Sequence, residues 1–410
     1  MSGTHAEGFA PVRRAFEEGF RERGEIGASF AVYHRGRCVV DLWGGHADVA
    51  RGVRGVPWQR DTRIVVFSVS KGLAAMALAL LANRGKLDWS APVADVWPGF
   101  AQSGKSRITL RALFNHRAGL PVLDEPLSME DCTSEAARPR VLAALERQAP
   151  LWRPGSAQAY HAVTFGMYAR EVFERIAGEP MGAFLKRELF DPLGADVSLG
   201  TDASVDSRIA TLYTPGNGER IARMVFEGLR GGTTEARVFR SLLSRNPVTM
   251  RAFLNPRLGD RGAHAYNDVP ARRAELAWAS ATASAQGLAR AYLPFASDGS
   301  HEGRRYLQSA SLLPLRERQT WTERDLVLNK PIGWSQGFLK DETHLFSPNE
   351  ASFGHAGMGG ALGWADPTAE LSFGYVMNRM DWRVRSPRVL ALCRALYACE
   401  PLRHREARAA

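Results

Sequence analysis

Cysteine is scarce: four residues in 410, at Cys38, Cys132, Cys393 and Cys399, with no CxxC pair and no metal-ligand spacing. That argues against a disulfide framework or a zinc module and leaves free thiols as the expectation. Long apolar runs are missing too. The longest, Leu73 to Ala82, is far too short to cross a bilayer. Met1 to His5 carry no basic stretch leading into an apolar core, so no signal peptide is expected and a cytoplasmic location is. Blocks of one charge are also absent. The net charge is +10, but the arginines come singly or in pairs such as Arg13-Arg14, Arg272-Arg273 and Arg304-Arg305. With no Gly-rich phosphate loop and no aromatic-basic motif, nucleic acid is not an expected partner.

The most telling shortage is lysine, which supplies six of the 53 Lys+Arg residues. Arginine stays charged at any useful pH, whereas a desolvated lysine can release its proton. One of the six stands in Ser68-Val69-Ser70-Lys71, just ahead of the apolar stretch Gly72 to Ala82. On a helix, positions i and i+3 share a face, so a hydroxyl and an amine can meet there. The pair is a candidate nucleophile and activating base.

Around it, periodicity predicts a helix over the first 25 residues, with Val12, Phe16 and Phe20 in line. A short-loop hairpin is expected over Ser29–His34 and Cys38–Trp43, with Arg35-Gly36-Arg37 between. The Lys71 helix should end at Gly85, and Thr109 should cap Leu110–Phe114. Further helices are expected over Thr164–Ile176, Met181–Leu189, after Ala281 and after Ser386-Pro387, and strands over Trp334–Phe338, Ala351–His355, Gly360–Ala365 and Leu371–Met377. Strands at both ends and helices between predict an α+β fold, an α/β/α sandwich whose antiparallel sheet is built from both termini. The expected division is a sheet unit of 1–85 with 275–410 and a helical lobe of 86–274, in which 205–275 forms long connections over the site, a possible lid.

Two further blocks follow the Ser68 motif in order: Tyr160-His161-Ala162, and Phe353-Gly354-His355-Ala356-Gly357-Met358-Gly359-Gly360. Trp43-Gly44-Gly45, Pro57-Trp58 and Leu113-Phe114-Asn115-His116-Arg117-Ala118-Gly119-Leu120 accompany them. With these the sequence resembles the serine β-lactamase and penicillin-binding-protein superfamily, class C-like members and family VIII carboxylesterases most closely, over roughly residues 10 to 400.

The resemblance implies a Ser68 acyl-enzyme and no cofactor or metal. Lys71 would activate the serine. Tyr160 would be its general base and the acid for the leaving group. His355 would polarise Tyr160 or orient substrate, and the backbone N–H groups of Ser68 and Met358 would form the oxyanion hole. Gly357 and Gly359 would let a substrate lie against the strand, and Trp334, Phe338 and Trp364 are candidates for an apolar pocket. Two departures bear on the substrate. Ala162 stands where the family's tyrosine block has an amide, and His355 stands where many members have a lysine. Both disfavour β-lactams and favour small or medium neutral esters. Acyl transfer on the same scaffold, a D-peptidase and a non-enzymatic sensor stay open as alternatives.

Overall fold

The computed structural model describes residues 1–49, 55–215 and 248–403, together with Phe226, Thr234 and Arg237. The chain starts with a short strand, β1 (Ser2–His5), and helix α1 (Ala10–Glu22), which buries Val12 and Phe16. Strands β2 (Gly27–His34) and β3 (Arg37–Asp48) then pair antiparallel. Their connection is Arg35 and Gly36, with φ of 51° and 74°, the left-handed pair a two-residue hairpin loop requires. Strand β4 (Val56–Pro57) pairs back onto β3.

Helix α2 (Val69–Asn83) follows, and every residue from Val69 to Leu81 is buried. A helix apolar all round belongs in the interior. It stops at Asn83, and Gly85 takes the expected left-handed turn beyond it (φ 69°). Helices α3 (Leu110–Phe114), α4 (Thr164–Ala177) and α5 (Ala285–Ala291) come next. Thr109 caps α3 as expected, its hydroxyl accepting from the Ala112 N–H at 3.1 Å.

The remaining strands of the main sheet are β5 (Thr320–Thr322), β6 (Ile332–Ser335), β7 (Phe338–Asp341), β8 (Phe353–Ala356), β9 (Leu362–Asp366) and β10 (Leu371–Met377), before helix α6 (Pro387–Tyr397). The expected single strand Trp334–Phe338 is in fact a hairpin: Gln336 (φ 46°) and Gly337 (φ 89°) turn the chain between β6 and β7.

One ten-stranded antiparallel sheet results, in the order β1-β3-β2-β10-β9-β8-β7-β6-β5, with β4 on β3. Its strands come from residues 2–57 and 320–377, so both ends of the chain build it. Helices α2 and α5 cover one face, while α1 and α6 pack together on the other. A smaller sheet joins Ile64–Val65 and Val197–Ser198 to Thr282–Ala283, so the mainly helical middle also supplies a strand. Within 205–275, the described parts are short helices such as Val248–Phe253 and Val269–Arg273. Most of the rest of that expected lid lies outside the described residues.

Candidate active site

Ser68 occupies the N-cap of α2, a place where serine ordinarily turns its hydroxyl onto the helix N–H groups. Here it has helical dihedrals (φ −63°, ψ −7°) and makes no such bond. The Lys71 ammonium nitrogen, one turn on, approaches its Oγ at 2.9 Å. Phe67, just before it, has φ 47°, a left-handed conformation that a bulky residue adopts only under constraint. Ser70, the other hydroxyl of the motif, is fully buried and accepts the Ala281 N–H at 3.1 Å, so it is a structural residue.

Lys71 is 0% exposed. Its other contact is the Trp278 carbonyl at 3.0 Å, and no carboxylate lies within ion-pair reach among the described residues. Burial therefore pushes its pKa well below that of an ordinary lysine. Lysine scarcity had suggested a catalytic role, but the structure gives it a broader meaning. Lys105, Lys330 and Lys340 are buried as well. Lys105 donates to the carbonyls of Glu146 and Gln148, Lys340 to those of Arg316, Glu350 and Ser352, and Lys330 pairs with Glu342. Lys86 and Lys186 are exposed, so four of the six lysines serve buried sites. Lys71 stands apart because its partner is the hydroxyl of Ser68.

Tyr160 lies in a stretch without regular structure just before α4, and its ring is 5.1 Å from the Lys71 nitrogen. Burial raises the pKa of its phenol far above the usual value, and the nearby Ser68 hydroxyl only partly offsets this. Trp334 on β6 stacks on the Tyr160 ring at 5.4 Å and 7° between planes. At 1% exposure Trp334 backs the tyrosine; it does not present a wall to substrate.

His355 on β8 is 6.2 Å from Tyr160, ring to ring. Its Nδ1 donates to the Ala356 carbonyl at 2.9 Å, so the proton sits there and Nε2 is a bare acceptor. Burial, with Lys71 nearby, lowers its pKa to about 3, so this position carries no cation at neutral pH. Arg385, whose charge reaches both Tyr160 and His355, is held by both carboxylate oxygens of Glu342. Neither Ser68 nor Met358 gives its backbone N–H to a carbonyl among the described residues, which leaves both available as donors.

Two further expected pocket residues, Trp364 and Phe338, and the two glycines are placed differently. Trp364 is paired in register with Phe373 and Gly354, whereas His355 pairs with Gly363. Strand alternation puts Trp364 on the α1/α6 face, away from Ser68, where it packs on Phe346 at 5.1 Å. Phe338 is buried between Phe295 and Phe353, in the core. The glycines answer to protein contacts: a Cβ on Gly357 would lie 2.3 Å from the Val66 carbonyl, and Gly359 has φ 88° against Met380.

Two residues the sequence reading gave no role stand beside Tyr160. His116 is 0% exposed and its ring lies 4.1 Å from Trp334 and 5.1 Å from Tyr160. Asp325, also 0% exposed, accepts the Tyr160 N–H at 3.1 Å and those of Val327 and Leu328 at 2.9 Å. Burial raises its pKa to about 6 against those three donors.

The family model described as Beta-lactamase matches residues 12–393. An esterase/beta-lactamase, LipL, of Mycobacterium tuberculosis is 32% identical over 381 residues, covering 91% of this chain and 81% of its own length. The crystal structure of a family VIII carboxylesterase aligns with TM-score 0.84 and 34% identity, over 97% of this chain and 99% of that one. A penicillin-binding-protein homologue from Caulobacter crescentus aligns with TM-score 0.82 and 34% identity over the same shares. With a serine–lysine–tyrosine cluster at the start of α2 and a match that runs nearly the length of the chain, the protein belongs to the beta-lactamase family and is a hydrolase of that fold.

Proposed function

We propose that the protein is a carboxylesterase that cleaves small or medium neutral acyl esters through an acyl-enzyme on Ser68. The observation that carries the reading is the 2.9 Å contact between the Ser68 hydroxyl and a lysine with no carboxylate partner among the described residues. Burial with no counter-charge disfavours the protonated amine, which makes its lone pair more readily available than that of an exposed lysine. In this reading Lys71 Nζ takes the Ser68 proton as Oγ bonds to the ester carbonyl carbon. The oxyanion is met by the N–H groups of Ser68 and Met358.

The roles assigned here depart from the resemblance in one respect. Burial keeps the Tyr160 phenol protonated. Tyr160 is therefore the proton donor to the departing alkoxide, and the proton held by Lys71 restores it. Water then attacks the acyl carbon as its proton passes to Lys71; the bond from that carbon to Ser68 Oγ breaks, Oγ takes the proton back from Lys71, and the acyl group leaves as a carboxylic acid. His355, neutral with Nε2 free to accept, orients a donor on the substrate or the incoming water.

The neutral His355 also favours an uncharged ester over a carboxylate-bearing lactam; the name of the family VIII carboxylesterase agrees with that choice, while that of LipL carries both activities. The test is turnover of p-nitrophenyl esters of graded chain length by the wild type and Ser68→Ala, with and without added alcohol. Sustained, Ser68-dependent hydrolysis without alcohol supports the esterase. Release that stalls until alcohol is added would replace it with an acyltransferase, and no release from any ester would reject both.

A further inference from the structure

We propose that His116 is the positioning residue of Tyr160, holding as a neutral imidazole the stretch of backbone that carries the phenol. This rests on the reading of Tyr160 as the proton donor. Residues 157–161 form neither helix nor strand, so their buried N–H groups need individual acceptors. The Ala159 N–H goes to the His116 carbonyl at 3.1 Å, and the His161 N–H goes to His116 Nδ1 at 3.0 Å. One residue thus grips the chain on both sides of Tyr160, and Asp325 takes the N–H between.

His116 is itself fixed by how α3 ends. Its N–H returns to the Leu113 carbonyl at 3.2 Å and the next N–H, of Arg117, to that of Ala112 at 2.8 Å. This is the Schellman pattern, and His116 fills its left-handed position with φ 60°. Glycine or asparagine is the usual occupant there. A glycine would end the helix equally well but offer no side-chain acceptor to His161.

Only an unprotonated Nδ1 can accept an N–H, so the ring proton sits on Nε2 and the grip requires the neutral ring. The groups facing His116 favour that state. His161, His355 and Lys71 bring only potential positive charge, and the rings of Tyr160, Phe165 and Trp334 enclose it. Protonation would remove the acceptor and add a cation beside Lys71.

The experiment compares His116→Leu, His116→Asn and Tyr160→Phe with wild type in kcat, KM and thermal midpoint on a p-nitrophenyl ester. Asparagine tolerates φ above zero, and its Oδ1 branches from Cγ as Nδ1 does. The expected result is a loss of about 10–100-fold in kcat for His116→Leu, with KM within about threefold, and recovery of most of that loss in His116→Asn. A His116→Leu protein with wild-type kcat beside an inactive Tyr160→Phe would overturn the clamp alone. An active Tyr160→Phe would overturn the reading beneath it. Nitrogen NMR of the wild-type histidines covers the case in which the leucine variant fails to fold. A non-titrating Nε2–H tautomer for His116 from pH 5 to 8 is expected, and an Nδ1–H tautomer or ordinary titration would overturn the proposal.

Discussion

Ser68 and Lys71 ride on a helix buried from Val69 to Leu81, whereas Tyr160 stands on a few residues of irregular chain. In the first region spacing is set by the helix itself: one turn brings hydroxyl and amine to 2.9 Å, and packing on all sides fixes where that turn lies. In the second, no repeating backbone pattern exists, and position comes from single contacts made by His116, Asp325 and Trp334. The difference predicts how each region fails. Damage to the helix region should act through the chemistry of the side chain replaced. Damage to the irregular region should act at a distance, through groups that never touch the substrate.

The largest effect should come from Lys71→Arg, which keeps the helix but puts a permanent cation where the acceptor of the Ser68 proton stood. A loss of at least about 10³-fold in acylation rate is expected, with the far-ultraviolet circular dichroism unchanged. Near-wild-type acylation would move the base elsewhere. Tyr160→Phe should follow, with about 10²–10⁴-fold lower turnover at similar stability. Less than a tenfold loss would take the proton donor away from Tyr160.

Acidification sharpens the comparison, because buried titratable groups gather around the irregular region. His161 and His355 have pKa values lowered to about 3, and burial lowers His116 as well. Neutral in the fold but protonated when unfolded, they contribute stability present above pH 6.5 and lost as pH falls towards 3. Asp325 runs the other way. With its pKa raised from 3.8 to about 6, its contribution is full below about pH 4 and is lost as pH rises through 6. Wild type should therefore lose stability from pH 7 to pH 4, and Asp325→Asn, which keeps the Oδ1 acceptor but cannot titrate, should lose more. The gap between them should change by about 2–3 kcal/mol over that range. Parallel melting curves at every pH would refute the buried-charge account of Asp325. The smallest effect belongs to Trp364→Phe, which should lower the thermal midpoint by a few degrees while leaving KM within about twofold. A large rise in KM would return Trp364 to the substrate pocket.

The same contrast explains what the sequence could convey. Ser68, Lys71 and the burial of α2 were legible because helical periodicity turns spacing into contact. Tyr160 and His355 were legible only through the order of the family's blocks. His116 lay in view in the run Leu113 to Leu120, but nothing in the run says that its ring accepts the N–H of residue 161, 45 positions away. Asp325 carried only a local signal, an aspartate capping the N–H groups two and three residues on. Trp364 was misplaced because all five residues of its strand, β9, are buried. A sheet covered by helices on both faces is apolar on both, so alternation cannot say which face holds the site. The β6–β7 hairpin was missed because its Gln336-Gly337 turn is only two residues long and stands between Trp334 and Phe338, a spacing that reads as one short strand.

The account turns on an acyl group carried by Ser68, and intact-protein mass after rapid mixing with p-nitrophenyl butyrate tests this most directly. Wild type quenched in acid should carry the added mass of one butyryl group. Ser68→Ala should carry none, and Lys71→Arg should acquire it far more slowly than wild type. An adduct on Ser68→Ala, or rapid nitrophenol release that Ser68→Ala retains, would contradict the account.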